Sequence, residues 1–153
     1  MKSRAIATMI VASFFLTGCA AGGNAPTRLI KQVTDGVEKD IGDLKIRNVK
    51  NHLLCPDGSG TLIGFIVNHS DEVDQLVAIT VGGQRADFLS DVQLLKNKPM
   101  IFEGESANAK AKIAALGVKP GYRVPVVLYF AKNGKVELDA LVVANTGIYS
   151  SIL

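Results

Sequence analysis

The sequence predicts an all-β fold, an antiparallel β-sandwich preceded by a signal peptide and a flexible tether. Three observations predict it. Short apolar runs recur between turn signals from Ile41 onward, no persuasive helical pattern follows residue 40, and the two closing runs alternate with period two about Asn133-Gly134. The 153 residues are 48% hydrophobic and 20% charged, enough core formers to exclude a disordered chain. Two cysteines exclude a disulfide scaffold.

The first eighteen residues have the parts of an export signal: Lys2 and Arg4, an apolar core from Ala5 to Leu16, then Thr17-Gly18-Cys19. Twelve helical residues reach about 18 Å, short of a ~30 Å hydrocarbon core, so this is no stable span. Leu16-Thr17-Gly18-Cys19 resembles the bacterial lipobox, in which small residues precede the cysteine whose sulfur receives a diacylglycerol. That resemblance implies a lipoprotein signal peptide over residues 1–18 and lipidation, including palmitate, at Cys19. The chain would then be anchored to the cell membrane on its extracytoplasmic face. One myristoyl chain gives only marginal attachment, whereas two or three acyl chains hold a protein permanently.

Residues 19–40 read as lipidated cysteine and tether. Ala20 to Pro26 offers small residues and turn formers with nothing to pack. Leu29, Val33 and Val37 would line one helical face on a membrane surface, but Gly36 and the β-branched residues weaken a helix. An irregular approach to the first strand is the expectation for 27–40.

The β-sandwich domain is expected over 41–153. Leu44, Ile46 and Val49 open it, Thr61–Val67 and Leu76–Val81 follow, and weaker runs lie at Ala86–Leu89, Val92–Leu94, Met100–Phe102 and Ile113–Val118. In the last hairpin, Val124, Val126, Leu128 and Phe130 share one face, as do Val136, Leu138, Ala140 and Val142. A two-residue loop would set Phe130 opposite Glu137 and split the apolar faces. A three-residue loop, Lys132-Asn133-Gly134, pairs Phe130 with Val136 and Leu128 with Leu138, so burial selects it. Gly134 then takes the left-handed conformation.

Ile41-Gly42-Asp43-Leu44-Lys45-Ile46-Arg47-Asn48, Phe65-Ile66-Val67-Asn68 with Asp74-Gln75-Leu76-Val77, and Pro120-Gly121-Tyr122-Arg123-Val124-Pro125-Val126 resemble actinobacterial LpqE-like envelope lipoproteins. These are in turn similar to the periplasmic copper-chaperone (PCuAC-like) sandwich, which implies an immunoglobulin- or cupredoxin-like fold. The copper chaperones bind metal through histidine and methionine, including a His-x-Met pair before the closing hairpin. Lys110-Ala111-Lys112 occupies that place here, and two ammonium groups repel a cation. The resemblance therefore transfers no ligands, and no metal site is assigned. The soft side chains left in the mature domain are His52, His69, Cys55 and Met100, none paired at a recognised ligand spacing.

With Cys19 carrying lipid, Cys55 has no partner in the chain. It reads as a small buried hydrophobe, or as an exposed thiol pairing with another chain. The acidic turn from Asn68 to Asp74 lacks the spacing, glycine and terminal glutamate of an EF-hand and reads as solvated, with side chains bonding local N–H groups. No nucleophile elbow, zinc-protease or phosphate-loop motif is present, so no enzyme, catalytic residue or cofactor is expected. The net charge of +3 falls to +1 without residues 1–18, as 15 basic against 14 acidic residues, which disfavours nucleic acid. The expectation is a non-catalytic envelope-maintenance or interaction module whose partner is an unknown envelope protein or polymer, with copper or other metal handling as the alternative.

Overall fold

The computed structural model describes residues 35–53, 58–90 and 93–150, with the side chains of His52 and Leu53 outside that description. The leader with Cys19, and Cys55, fall outside it too. The described chain opens with β1 (Val37–Ile41), which turns at Gly42-Asp43 into β2 (Leu44–Leu53). Sheet pairing therefore starts at Val37, four residues before the expected domain start. Val37 and Ile41 pack against the core, and that burial selects strand over helix for the end of 27–40.

The remaining strands are β3 (Gly60–Asn68), β4 (Leu76–Val81), β5 (Gln84–Arg85), β6 (Asp87–Ser90), β7 (Met100–Ile101), β8 (Ala109–Ile113), β9 (Arg123–Phe130) and β10 (Gly134–Ala144). A single 3₁₀ turn, Gly147–Tyr149, follows them. The neighbour order is β5-β4-β9-β10-β2-β3-β8-β6, with β1 on β2 and β7 on β3. β10 is long enough to pair with β9 along most of its length and with β2 at its end, so it is shared by both sheets of the sandwich. Its pairing with β2 is parallel, at Val142–Asn51, Val143–His52 and Ala144–Leu53. This is the exception to the expected antiparallel arrangement. Among the described residues no helix is long and apolar enough to cross a membrane.

The core lies between the sheets and takes alternate residues of each strand: Leu44 and Ile46, Ile79 and Val81, Val124, Val126 and Leu128, and Val136, Leu138 and Ala140. In β2 a bulge breaks the alternation, with Asn48 at φ 54° and a register shift between Arg47 and Lys50. Beyond it Val49 and Asn51 take the buried side. Gly64 on β3 sits opposite the bulge at φ 133°, and a Cβ there would lie 2.9 Å from the Arg47 carbonyl oxygen. Only glycine meets both demands.

Two expectations need correction. In the closing hairpin Phe130 pairs with Gly134, Leu128 with Val136 and Val126 with Leu138, so the ladder is two residues tighter than expected. The loop has three residues, Ala131-Lys132-Asn133. A shift of two preserves facing, which is why burial chose the right faces and could not choose between these registers. Gly134 does take positive φ, at 71°. The strand expected over Ile113–Val118 instead runs over Ala109–Ile113, with Ala109, Ala111 and Ile113 inward and Lys110 and Lys112 outward. Its inward residues are mostly alanine, too weakly apolar to stand out.

Candidate functional site

His69 follows directly on β3 and is exposed. Its amide donates to the Asp43 carbonyl at 3.0 Å. Its Nδ1 lies 2.7 Å from Asn97 Oδ1. Met100 sits in β7 opposite Ile66, and its side chain is fully buried in the core. Its thioether is packing, away from the solvent that His69 meets.

His52 pairs with Thr61 in the β2–β3 ladder, whereas His69 adjoins the opposite end, where Leu44 pairs with Asn68. Eight residues of strand separate Leu44 from His52, roughly 25 Å. One metal ion cannot bridge them. Cys55 comes three residues after His52, so chain geometry keeps their Cα atoms within about 11 Å. Of the soft candidates, then, the backbone of His52 lies at one end of the sandwich, His69 at the other, and Met100 in the interior, while Cys55 lies outside the described residues. Among the described residues no three His, Cys, Asp or Glu side chains gather as a metal site would require.

The β6–β8 edge carries an open groove of about 600 Å³ lined by Phe88, Leu89, Ser90, Asn108, Ala109 and Lys110. Asn108 is committed to the backbone, accepting from the Ile101 amide at 2.8 Å and donating to the Pro99 carbonyl at 3.0 Å. Lys110 and Lys112 stand on the exposed face of β8. The groove thus sets Phe88, Leu89 and Ala109 beside the single lysine Lys110.

A smaller cleft, about 260 Å³, lies among Asp43, Asn68, Glu72, Asp74 and Lys132. Asp74 is 3% exposed, so the expectation of a solvated turn fails at this residue. Its carboxylate accepts from the amides of Gln75 and Lys132, each at 2.8 Å, and of Asn133 at 3.2 Å, and from Asn133 Nδ2 at 2.7 Å. Burial pushes its carboxyl up, but these donors outweigh burial and hold it below the usual range. A carboxylate so saturated is a staple for the β9–β10 turn and has little capacity left for a cation. Asn68 does match the expected local bonding, accepting from the Ser70 amide at 2.9 Å while donating to the Glu72 and Leu94 carbonyls.

Sequence reasoning also missed Lys50, a strand residue only 7% exposed. Its Nζ donates to Tyr149 Oη at 2.9 Å and lies 5.3 Å from that ring's centroid. Glu103 is pushed up by burial, an effect the Lys50 charge opposes. Asn51, fully buried beside Lys50, has no hydrogen-bond partner for either side-chain amide atom. The partners in these clusters lie up to 99 residues apart, so no local pattern announced them.

The class defined by this architecture is the β-sandwich of PCuAC domains. In particular, the chain is similar to the apo PCuAC domain from PmoF1, at 24% identity and TM-score 0.61, covering 71% of this chain and 99% of that one. It is also similar to the copper-bound PCuAC domain from PmoF2, at 20% identity and TM-score 0.59, covering 71% and 98%. The apo PmoF2 PCuAC domain gives 19% identity and TM-score 0.59 over 72% and 98%. At these identities the likeness shows the fold. No protein-family model matches the sequence, and no curated protein does.

Proposed function

We propose that this chain is a non-catalytic, extracytoplasmic lipoprotein that uses the PCuAC sandwich to handle a metal, with copper as the first candidate. The observation that carries this reading is the near-complete cover of PCuAC domains, one of them copper-bound, by 71% of this chain. His52 and Cys55 are the proposed ligands. They are a borderline and a soft donor, three residues apart in the chain. His69 is a separate, exposed imidazole at the other end of the β2–β3 ladder. Met100 is excluded from the site by burial.

The reading is tested by native mass spectrometry of the full chain after incubation with Cu(I). One bound copper is expected, lost in His52→Ala or Cys55→Ser and kept in Met100→Leu. Absence of stoichiometric copper from the unaltered chain overturns the proposal.

A second reading, an LpqE-like envelope-maintenance or interaction module without metal, is favoured by Lys110 and Lys112. They stand where the resemblance to the copper chaperones would put a His-x-Met pair, and they lie on the exposed face of β8. In both readings the lipid on Cys19 confines the domain to the membrane surface and raises its effective concentration near envelope partners.

A further inference from the structure

The sandwich has two unlike ends. At one, the β3–β4 loop and the β1–β2 turn carry Asp43, Asp71, Glu72 and Asp74. Lys96 and Lys132 lie there already paired, with Asp71 at 2.6 Å and Glu72 at 3.3 Å. At the other end, segments 114–122 and 145–150 hold no acidic residue. They contain Lys119, border Arg123, and expose Tyr122 and Ile148 at 65% and 82%. Asp35 before β1, Asp87 opposite Lys112 in the β6–β8 ladder and, by sequence, Asp57 in the segment joining β2 to β3 accompany Lys112, Lys119 and Arg123.

Backbone hydrogen bonds tie Tyr122 to the end of β10, and the segment bearing Ile148 follows β10 at the same end. The Gly121 amide donates to the Val142 carbonyl and the Val142 amide to the Tyr122 carbonyl, both at 2.8 Å. Tyr149, next to Ile148, is held to Lys50. Val142 pairs with Asn51, the residue after Lys50, so the two features share one end of the β2–β10 ladder.

The chain also enters the sheet from this end. β1 begins with Val37 opposite Val49 and runs toward Leu44, so the described chain starts, with Asp35 and Gly36, at the Lys50 side. From Cys19 to Val37 is 18 residues, at most ~60 Å when fully extended.

We infer that the end bearing Tyr122, Ile148, Lys119 and Arg123 docks onto an anionic lipid surface. This rests on the lipid anchor proposed for Cys19. An aromatic ring and an aliphatic side chain suit the headgroup boundary, and flanking cations suit an anionic leaflet.

The chain contains no tryptophan, so a single introduced one reports its own surroundings. The full lipidated chain carrying Ile148→Trp, and separately Asp71→Trp, is incorporated into phosphatidylglycerol–phosphatidylcholine vesicles containing brominated lipid. Flotation reads the anchor and bromine quenching reads the docking. Several-fold stronger quenching is expected for Ile148→Trp than for Asp71→Trp, falling when Lys119→Glu and Arg123→Glu are added. A chain that floats yet shows equal quenching at both ends overturns the docking alone. A chain that does not float overturns the anchor and the docking together.

Discussion

Asp74 and Glu103 show how two carboxylates in one fold acquire opposite dependences on pH. Asp74 is held below its ordinary range by its donors, against the pull of burial. Its contribution is therefore present above the unfolded carboxylate range of about 4 and is lost as pH falls through its lower folded value. Removing the side chain strands four donors, so Asp74→Ala is expected to cost about 3 kcal/mol in urea unfolding at pH 7, with Asp74→Asn costing less. Glu103 runs the other way, because burial disfavours its charged form more than Lys50 supports it. Its cost is absent below the ordinary glutamate range and grows as pH rises through the raised folded value. Glu103→Gln is expected to be more stable than the parent at pH 7 and to converge with it in acid. A stability difference independent of pH would contradict this. Neither role was legible in the sequence, since Asp74 looked like one more acid in a polar turn and its partners Lys132 and Asn133 lie 58 and 59 residues away.

At the scale of elements, the strands built from strong apolar alternation were legible and the devices that bend or align them were not. Thr61–Val67 and Leu76–Val81 declare themselves by β-branched residues and appear in the structure as β3 and β4. β8 did not, because Ala-Lys alternation carries the right period with little hydrophobic contrast. The hairpin shows the same limit: facing repeats every two residues, so burial fixed which side chains of β9 and β10 turn inward and left their pairing open. The β2 bulge at Asn48 depends on Gly64, a close approach visible only once β2 and β3 are paired. Gly64→Ala places a Cβ against the Arg47 carbonyl at a backbone angle that side chains rarely adopt. It is expected to cost about 2 kcal/mol or more, read as a lower urea midpoint with unchanged slope. A variant as stable as the parent would mean the bulge relaxes without strain.

For the whole molecule, the sequence carried the all-β class and the likeness to the PCuAC sandwich, because turns and core strands span most of the domain. It could not carry the site. Whether His52, His69, Cys55 and Met100 meet is a question of which strand ends adjoin and which faces are buried, and the fold separates them. Met100 is interior, and the two histidines stand at opposite ends of one ladder. The proposed ligands are His52 and Cys55, on a body proposed to be tied to the membrane through Cys19. The most direct test is the copper content of the full chain purified from its own membranes, measured by elemental mass spectrometry. The account predicts copper near one atom per lipidated chain, falling to background in Cys55→Ser. Lipidated chain recovered with copper at background would contradict it.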